Sequence, residues 1–71
     1  MTYLVLVEEG DRKSKSPYAC PVYSRQHFER KKAQNIRCVL MKTDVENPVY
    51  KDWILLEDFY PLGENNEDNK H

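Results

Sequence analysis

Residues 2–7 (Thr-Tyr-Leu-Val-Leu-Val) constrain the fold of this chain more than any other segment. Six residues rich in β-branched and aromatic side chains are too few for a stable helix, and they predict a strand. Side chains alternate between the two faces of a strand, so both faces of this one are apolar. Such a strand suits a position that is covered on each side, and a water-exposed sheet edge would be a poor place for it. Tyr3, Val5 and Val7 share one predicted face, and Leu4 and Leu6 share the other.

Three later segments have the composition of further strands. Residues 19–25 form the second predicted strand, with Pro21 near its start, where a missing N–H disturbs the ladder least. Residues 36–42 alternate so that Ile36, Cys38 and Leu40 should point inward. Residues 53–56 form the last predicted strand. The sequence therefore predicts a mostly β fold, with a small antiparallel sheet or a partly open barrel of about four strands.

The connections between these strands are polar. Residues 8–17 contain no large apolar side chain, which predicts a solvated loop. Residues 26–35 hold too few apolar side chains to define a helix face, so we expect a hairpin connection with one helical turn. Residues 63–71 are acidic and Asn-rich and cannot bury enough surface to order themselves. We expect one small domain over residues 1–62 and a disordered acidic tail over residues 63–71.

The size and composition of the chain limit its class. With 71 residues it can form one small domain, whose core is thin. A single disulfide between Cys20 and Cys38 is the maximum, and without a secretory signal we expect both thiols to be free in a cytoplasmic protein. No apolar run approaches the ~20 residues that span a bilayer, so no membrane role is expected.

Charge is distributed unevenly along the chain. The net charge is −1, yet residues 10–42 carry nine Lys or Arg against two Asp or Glu. This asymmetry has two interpretations: a basic binding face, or attraction between two regions of the fold.

The chain lacks the residue sets that catalysis or metal binding needs. His27 and His71 are its only histidines, and Cys20 and Cys38 are eighteen residues apart without a second ligand pair. Glycine-rich phosphate loops are also missing from the sequence. We expect no enzymatic activity, no metal and no cofactor.

Two groups of residues are candidates for partner contacts. Basic side chains interleaved with aromatics between residues 25 and 37 could follow a nucleic-acid backbone, but a solvated basic loop that contacts protein or has no partner is the stronger interpretation. The aromatic group near the end of the chain is either core or interface. The candidates are Arg25, Arg30, Lys31, Lys32, Arg37, Tyr50, Trp53, Phe59 and Tyr60.

A run of short motifs over about residues 3–56 resembles the extreme C-terminus of dynein heavy chains. That region reads Y-x-C-P-V-Y, a basic turn, an apolar strand and then W-I. This chain departs from it after residue 54, where Leu-Leu-Glu-Asp replaces a small-residue apolar strand. The matching positions are Tyr18, Cys20, Pro21, Val22 and Tyr23, then Arg25 or Arg30, residues 36–43, and Trp53 with Ile54.

The resemblance implies a small β-barrel segment that packs on a larger motor protein, with a cytoskeletal or ciliary location. Together with the residues themselves, it predicts a non-enzymatic structural or interaction module that acts through protein contacts. The alternatives are a small barrel that binds nucleic acid through residues 25–37, and a small subunit of an unrelated assembly. Neither the oligomeric state nor the partner is defined by the sequence.

Overall fold

The computed structural model describes residues 1–62, and the predicted tail lies outside them. The described residues confirm the predicted mostly β class. Four antiparallel strands form one open sheet in the order β2-β1-β3-β4, and one helix packs on it. The elements are β1 (Thr2–Glu9), β2 (Arg12–Tyr18), α1 (Pro21–Ala33), β3 (Arg37–Thr43), a 3-10 turn (Tyr50–Asp52) and β4 (Ile54–Phe59).

Strand β1 lies inside the sheet, as its two apolar faces predict, with β2 on one side and β3 on the other. A two-residue turn joins β1 to β2, because Glu9 pairs with Arg12. Gly10 has φ +64° at the first turn position, which is the glycine placement of a type II′ hairpin. The prediction of a solvated loop over residues 8–17 is therefore wrong. The Gly-Asp pair was a hairpin signal, but the polar composition of β2 concealed the strand.

The prediction of a strand over residues 19–25 is also wrong, because helix α1 begins at Pro21. Proline suits the first helical position, where its missing N–H has no intrahelical partner and its φ is already helical. The helix extends through residues 26–33, so the single predicted turn becomes a full element. It ends in a Schellman motif in which Asn35 has φ 61° and the Ile36 N–H donates to the Lys31 carbonyl oxygen at 3.1 Å.

The core lies between α1 and one face of the sheet. Phe28 is fully buried against side chains of β1 and β3, and the Cys38 thiol donates to the Phe28 carbonyl oxygen at 3.8 Å. The predicted inward positions of Cys38 and Leu40 are confirmed, and Ile36 packs partly buried at the margin. The buried apolar cluster comprises Val5, Val7, Phe28, Cys38 and Leu40.

Strand β4 completes the sheet beside β3, beginning at Ile54 and extending three residues beyond its predicted end at residue 56. An irregularity between Leu40 and Met41 leaves Leu56 without a partner in the register. The preceding connection is held by Thr43, whose hydroxyl donates to the Asp52 carbonyl oxygen at 2.9 Å and accepts from the Val45 N–H at 3.2 Å. By register Thr43 shares a face with Leu4 and Leu6, opposite the helix, and this connection buries it to 1% exposure at that end of the face.

Candidate interaction surface

The basic segment that was predicted to contact a partner lies mainly on α1. Two of its cationic side chains form ion pairs with one carboxylate of β4. Glu57 accepts from Arg25 at 2.6 Å and from Lys32 at 2.7 Å. Arg25 also reaches Glu29 at 3.1 Å, four residues along the helix. These contacts join the helix to the edge strand, and both cations also lie within 6 Å of the Phe28 ring centroid.

The charges of this cluster shift one another's titration. Hydrogen bonds from Lys32 and then Arg25 lower the pKa of Glu57. The hydrogen bond to Glu57 in turn raises the pKa of Arg25 and that of Lys32. All three groups stay charged near neutral pH, so the cluster is a salt-bridge network rather than a proton-transfer site.

Arg37 sits at the start of β3 and is held by the end of β4. Its guanidinium pairs with the Asp58 carboxylate and donates to the Phe59 carbonyl oxygen at 3.1 Å. The guanidinium carbon also lies 3.8 Å from the ring centroid of Tyr60, a close cation–π contact. Lys31 is 4.0 Å from Glu9, and Arg30 is the predicted basic candidate with no carboxylate partner within residues 1–62.

The aromatic candidates do not form one group. Phe59 packs partly buried against the core, while Tyr60 stacks with Arg37 on the surface and is 61% exposed. Tyr50 is 88% exposed on the 3-10 turn. Trp53 is partly buried after that turn and does not belong to the core cluster, whose large aromatic is Phe28.

A polar contact links β2 to α1 on the covered side. A hydrogen bond of 2.8 Å joins the Tyr18 hydroxyl to Nδ1 of His27, and the two rings meet edge to face. Burial lowers the pKa of His27, and the charges of Lys31 and Arg30 lower it further. The imidazole is therefore neutral at physiological pH, and its tautomer decides whether Nδ1 accepts from the Tyr18 hydroxyl or donates to it.

The second face of the sheet is the feature that sequence reasoning left unassigned. Within residues 1–62, the packing of Phe28 places α1 on one face alone, and the connection that holds Thr43 covers one end of the opposite face. Side chains paired by register share a face, so the strands define this surface directly. We call it the open face: apolar Leu4, Leu6, Val39, Met41 and Leu55, with Glu8, Lys13, Lys15, Pro17, Arg37 and Asp58 around them.

The apolar residues of the open face reach solvent. Leu55 is 54% exposed, and the central ones are partly exposed although they lie on inner strands. A shallow groove of about 300 Å³ follows this face, with Leu6 and Val39 in its lining and lysines from β2 beside them. The apolar second face of residues 2–7 was the signal for this surface, but the strand that supplies its lysines was predicted as a loop.

The remaining features of residues 1–62 place few limits on function. No group of three His, Cys, Asp or Glu side chains in this range could hold a metal ion. Both cysteines are free, Cys38 buried and Cys20 partly buried, and burial raises the pKa of the Cys38 thiol. No helix in the described range has the length and apolar character to cross a membrane.

No family model, curated protein or solved structure that was compared with this chain matches it. The resemblance to the C-terminus of dynein heavy chains therefore stays a prediction.

Proposed function

We propose that this chain is a non-enzymatic interaction module that binds protein through the open face. The proposal depends on two neighbouring pairs of apolar side chains on the inner strands, Leu4 with Met41 and Leu6 with Val39. The other face of the same sheet already packs on α1. Apolar side chains on inner strands are ordinarily covered, and a contiguous exposed patch rimmed by polar residues is typical of a protein contact. The cytoplasmic location and the dynein-like packing on a larger protein belong to the same proposal.

The pairing of the basic residues is the reason to prefer protein over nucleic acid. Affinity for a phosphate backbone depends on cations that are free to displace counterions. Four of the five basic candidates instead lie within 4.0 Å of a carboxylate of this chain. A nucleic acid would have to compete with Glu57, Asp58 and Glu9 for these side chains.

The test compares two double variants that each replace two solvent-reaching side chains with glutamine. Leu6→Gln/Val39→Gln changes the open face, and Val22→Gln/Tyr23→Gln is the control on the helix surface, where both residues are more than half exposed. Neither pair belongs to the core cluster, so both variants should keep the circular dichroism spectrum of the parent.

Each protein is photo-cross-linked in the cells that make it, and the attached chains are identified. We expect the open-face variant to lose the cross-linked proteins of the parent and the control to retain them. Equal cross-linking by the two variants would contradict the proposal. Salt-sensitive binding of a labelled oligonucleotide that survives the open-face variant would instead support the nucleic-acid alternative.

A further inference from the structure

The charges of the open face are arranged in rows across the sheet. Leu6 pairs with Lys15 of β2 on one side and with Val39 of β3 on the other. Val39 in turn pairs with Asp58 of β4. This row therefore reads cation, apolar, apolar, anion from one edge of the sheet to the other.

The two neighbouring rows follow the same register. Toward one end of the strands, an apolar row contains Pro17, Leu4, Met41 and Leu55. Toward the other end, the row contains Lys13, Glu8 and Arg37. In this row too, the two inner strands carry opposite charges.

We propose, on the basis of the proposed function, that the occupant of the open face is a second copy of this chain, related by a two-fold axis that lies close to the strand direction between β1 and β3. Such an axis places β2 of one copy over β4 of the other, and β1 over β3. A two-fold contact requires a patch that complements itself. The rows provide this, because their opposite charges lie on strands that the axis exchanges.

In this arrangement, Lys15 faces Asp58 of the second copy, and the same contact occurs a second time. Glu8 likewise faces Arg37 of the second copy. Within each copy Asp58 keeps its pair with Arg37 and Glu8 lies 3.9 Å from Lys13, so the contacts between copies add a second partner to each carboxylate. The apolar row of one copy packs against the same row of the other in reversed order. Sheets that pack face to face lie about 10 Å apart, so apolar side chains from both copies interdigitate there. No carboxylate within residues 1–62 pairs with Lys15, so this lysine is available for the contact.

Other ways of pairing two copies are less favourable. A two-fold axis across the strands would place β2 over β2 and collect the lysines of both copies on one side, where they repel. Pairing through the β2 edge is opposed by Lys13, Lys15 and Pro17, which are the residues that protect sheet edges. Pairing through the β4 edge is the main competitor, because Ile54, Leu55 and Leu56 are exposed there.

The size of the open face sets the expected affinity. Four strands spaced about 4.8 Å apart, with about six residues each at about 3.3 Å per residue, give a footprint of roughly 400 Å² per copy. The two copies together would bury roughly 800 Å², below the ~1,200–2,000 Å² of standard stable interfaces, so we expect a weak dimer with a dissociation constant on the order of 10 µM.

Sedimentation equilibrium of the purified chain tests the proposal by exchanging charges. Lys15→Glu and Asp58→Lys should each weaken the dimer by about tenfold or more, because each places like charges opposite one another twice. The double variant restores opposite charges and should return to within about threefold of the parent. Arg30→Glu is the matched control on the helix surface and should leave the dissociation constant unchanged.

Asp58→Lys also removes an ion pair with Arg37, so its fold is checked by circular dichroism. Lys15→Glu removes no ion pair within residues 1–62 and can be interpreted without this check. The proposal would be overturned in favour of the β4 edge if Lys15→Glu left the dissociation constant unchanged and Ile54→Lys abolished the dimer. A chain that stays monomeric at about 1 mM, far above the expected dissociation constant, would also overturn it.

The cross-linking variants separate this failure from failure of the proposed function. If the chain is monomeric but its Leu6→Gln/Val39→Gln variant still loses the cross-linked proteins, the proposal of a second copy is overturned. The proposed function is then still supported. A monomeric chain whose open-face variant keeps every cross-linked protein overturns both.

Discussion

The partial burial of His27 makes the stability of this small domain depend on pH. The pKa of His27 in the folded chain is lower than its ordinary value of 6.5, chiefly because the ring is partly buried. Between these two pKa values the unfolded chain binds more protons than the folded chain. The contribution of His27 is therefore complete above about pH 6.5, and it is lost as the pH falls toward the folded pKa.

We expect urea unfolding to give a lower free energy of unfolding at pH 5.5 than at pH 7. The measurement is made in a His71→Gln background, so that His27 is the only histidine. His27→Gln in that background should flatten the curve within this window. Glu57 affects stability in a separate pH range. Its pKa is lowered in the folded chain, so its contribution to stability is lost only as the pH falls below about 4.5. An unchanged slope in the His27→Gln variant would show that the imidazole is not the titrating group.

Single residues illustrate what the sequence could and could not predict. The inward positions of Cys38 and Leu40 followed from simple alternation in β3. The role of Phe28 did not, because an isolated aromatic in a basic segment defines no helix face. Trp53 was predicted to lie in the core or in an interface, yet the fully buried aromatic is Phe28 and Trp53 is partly buried.

At the scale of elements, the helix was missed because it is weakly amphipathic. Ser24 and Phe28 are its only buried residues, so periodicity carried almost no signal. Two residues nonetheless indicate where the helix begins and ends: Pro21 at its first position and Asn35 in the Schellman motif. Strand β2 was missed for a related reason, since an edge strand in which only Ser16 and Tyr18 are partly buried has no apolar alternation to detect.

The helix depends on one buried side chain, which gives a prediction at this scale. Phe28→Ala should cost about 3–5 kcal/mol, comparable with the whole stability of a small domain, so we expect the variant to unfold. Tyr23→Ala is the matched control on the exposed side of the same helix and should change stability by at most about 0.5 kcal/mol. Thermal and urea unfolding of both variants provide the measurement. A Phe28→Ala chain that unfolds with the parent's midpoint would mean that α1 does not complete the core.

At the scale of the molecule, a single helix gives this sheet one covered face and one open face. The antiparallel sheet was predictable because β1 and β3 are strongly apolar, and antiparallel sheets tolerate a solvated face. The strand order was not predictable from the apolar pattern. It depends on the turns that join β1 to β2 and β3 to β4, and on the helix between these two pairs of strands. The open face follows from this topology, since α1 packs on one face of the sheet and the connection to β4 covers only the Thr43 end of the other.

Carbene footprinting at about 1 µM and about 500 µM, on either side of the expected dissociation constant, tests the open face most directly. We expect Leu6, Val39 and Met41 to be labelled at the low concentration and protected at the high one, while Val5 and Phe28 stay unlabelled at both. Protection of the first three residues at both concentrations would mean that the chain covers this face itself. Equal labelling at both concentrations would mean that no second copy binds there.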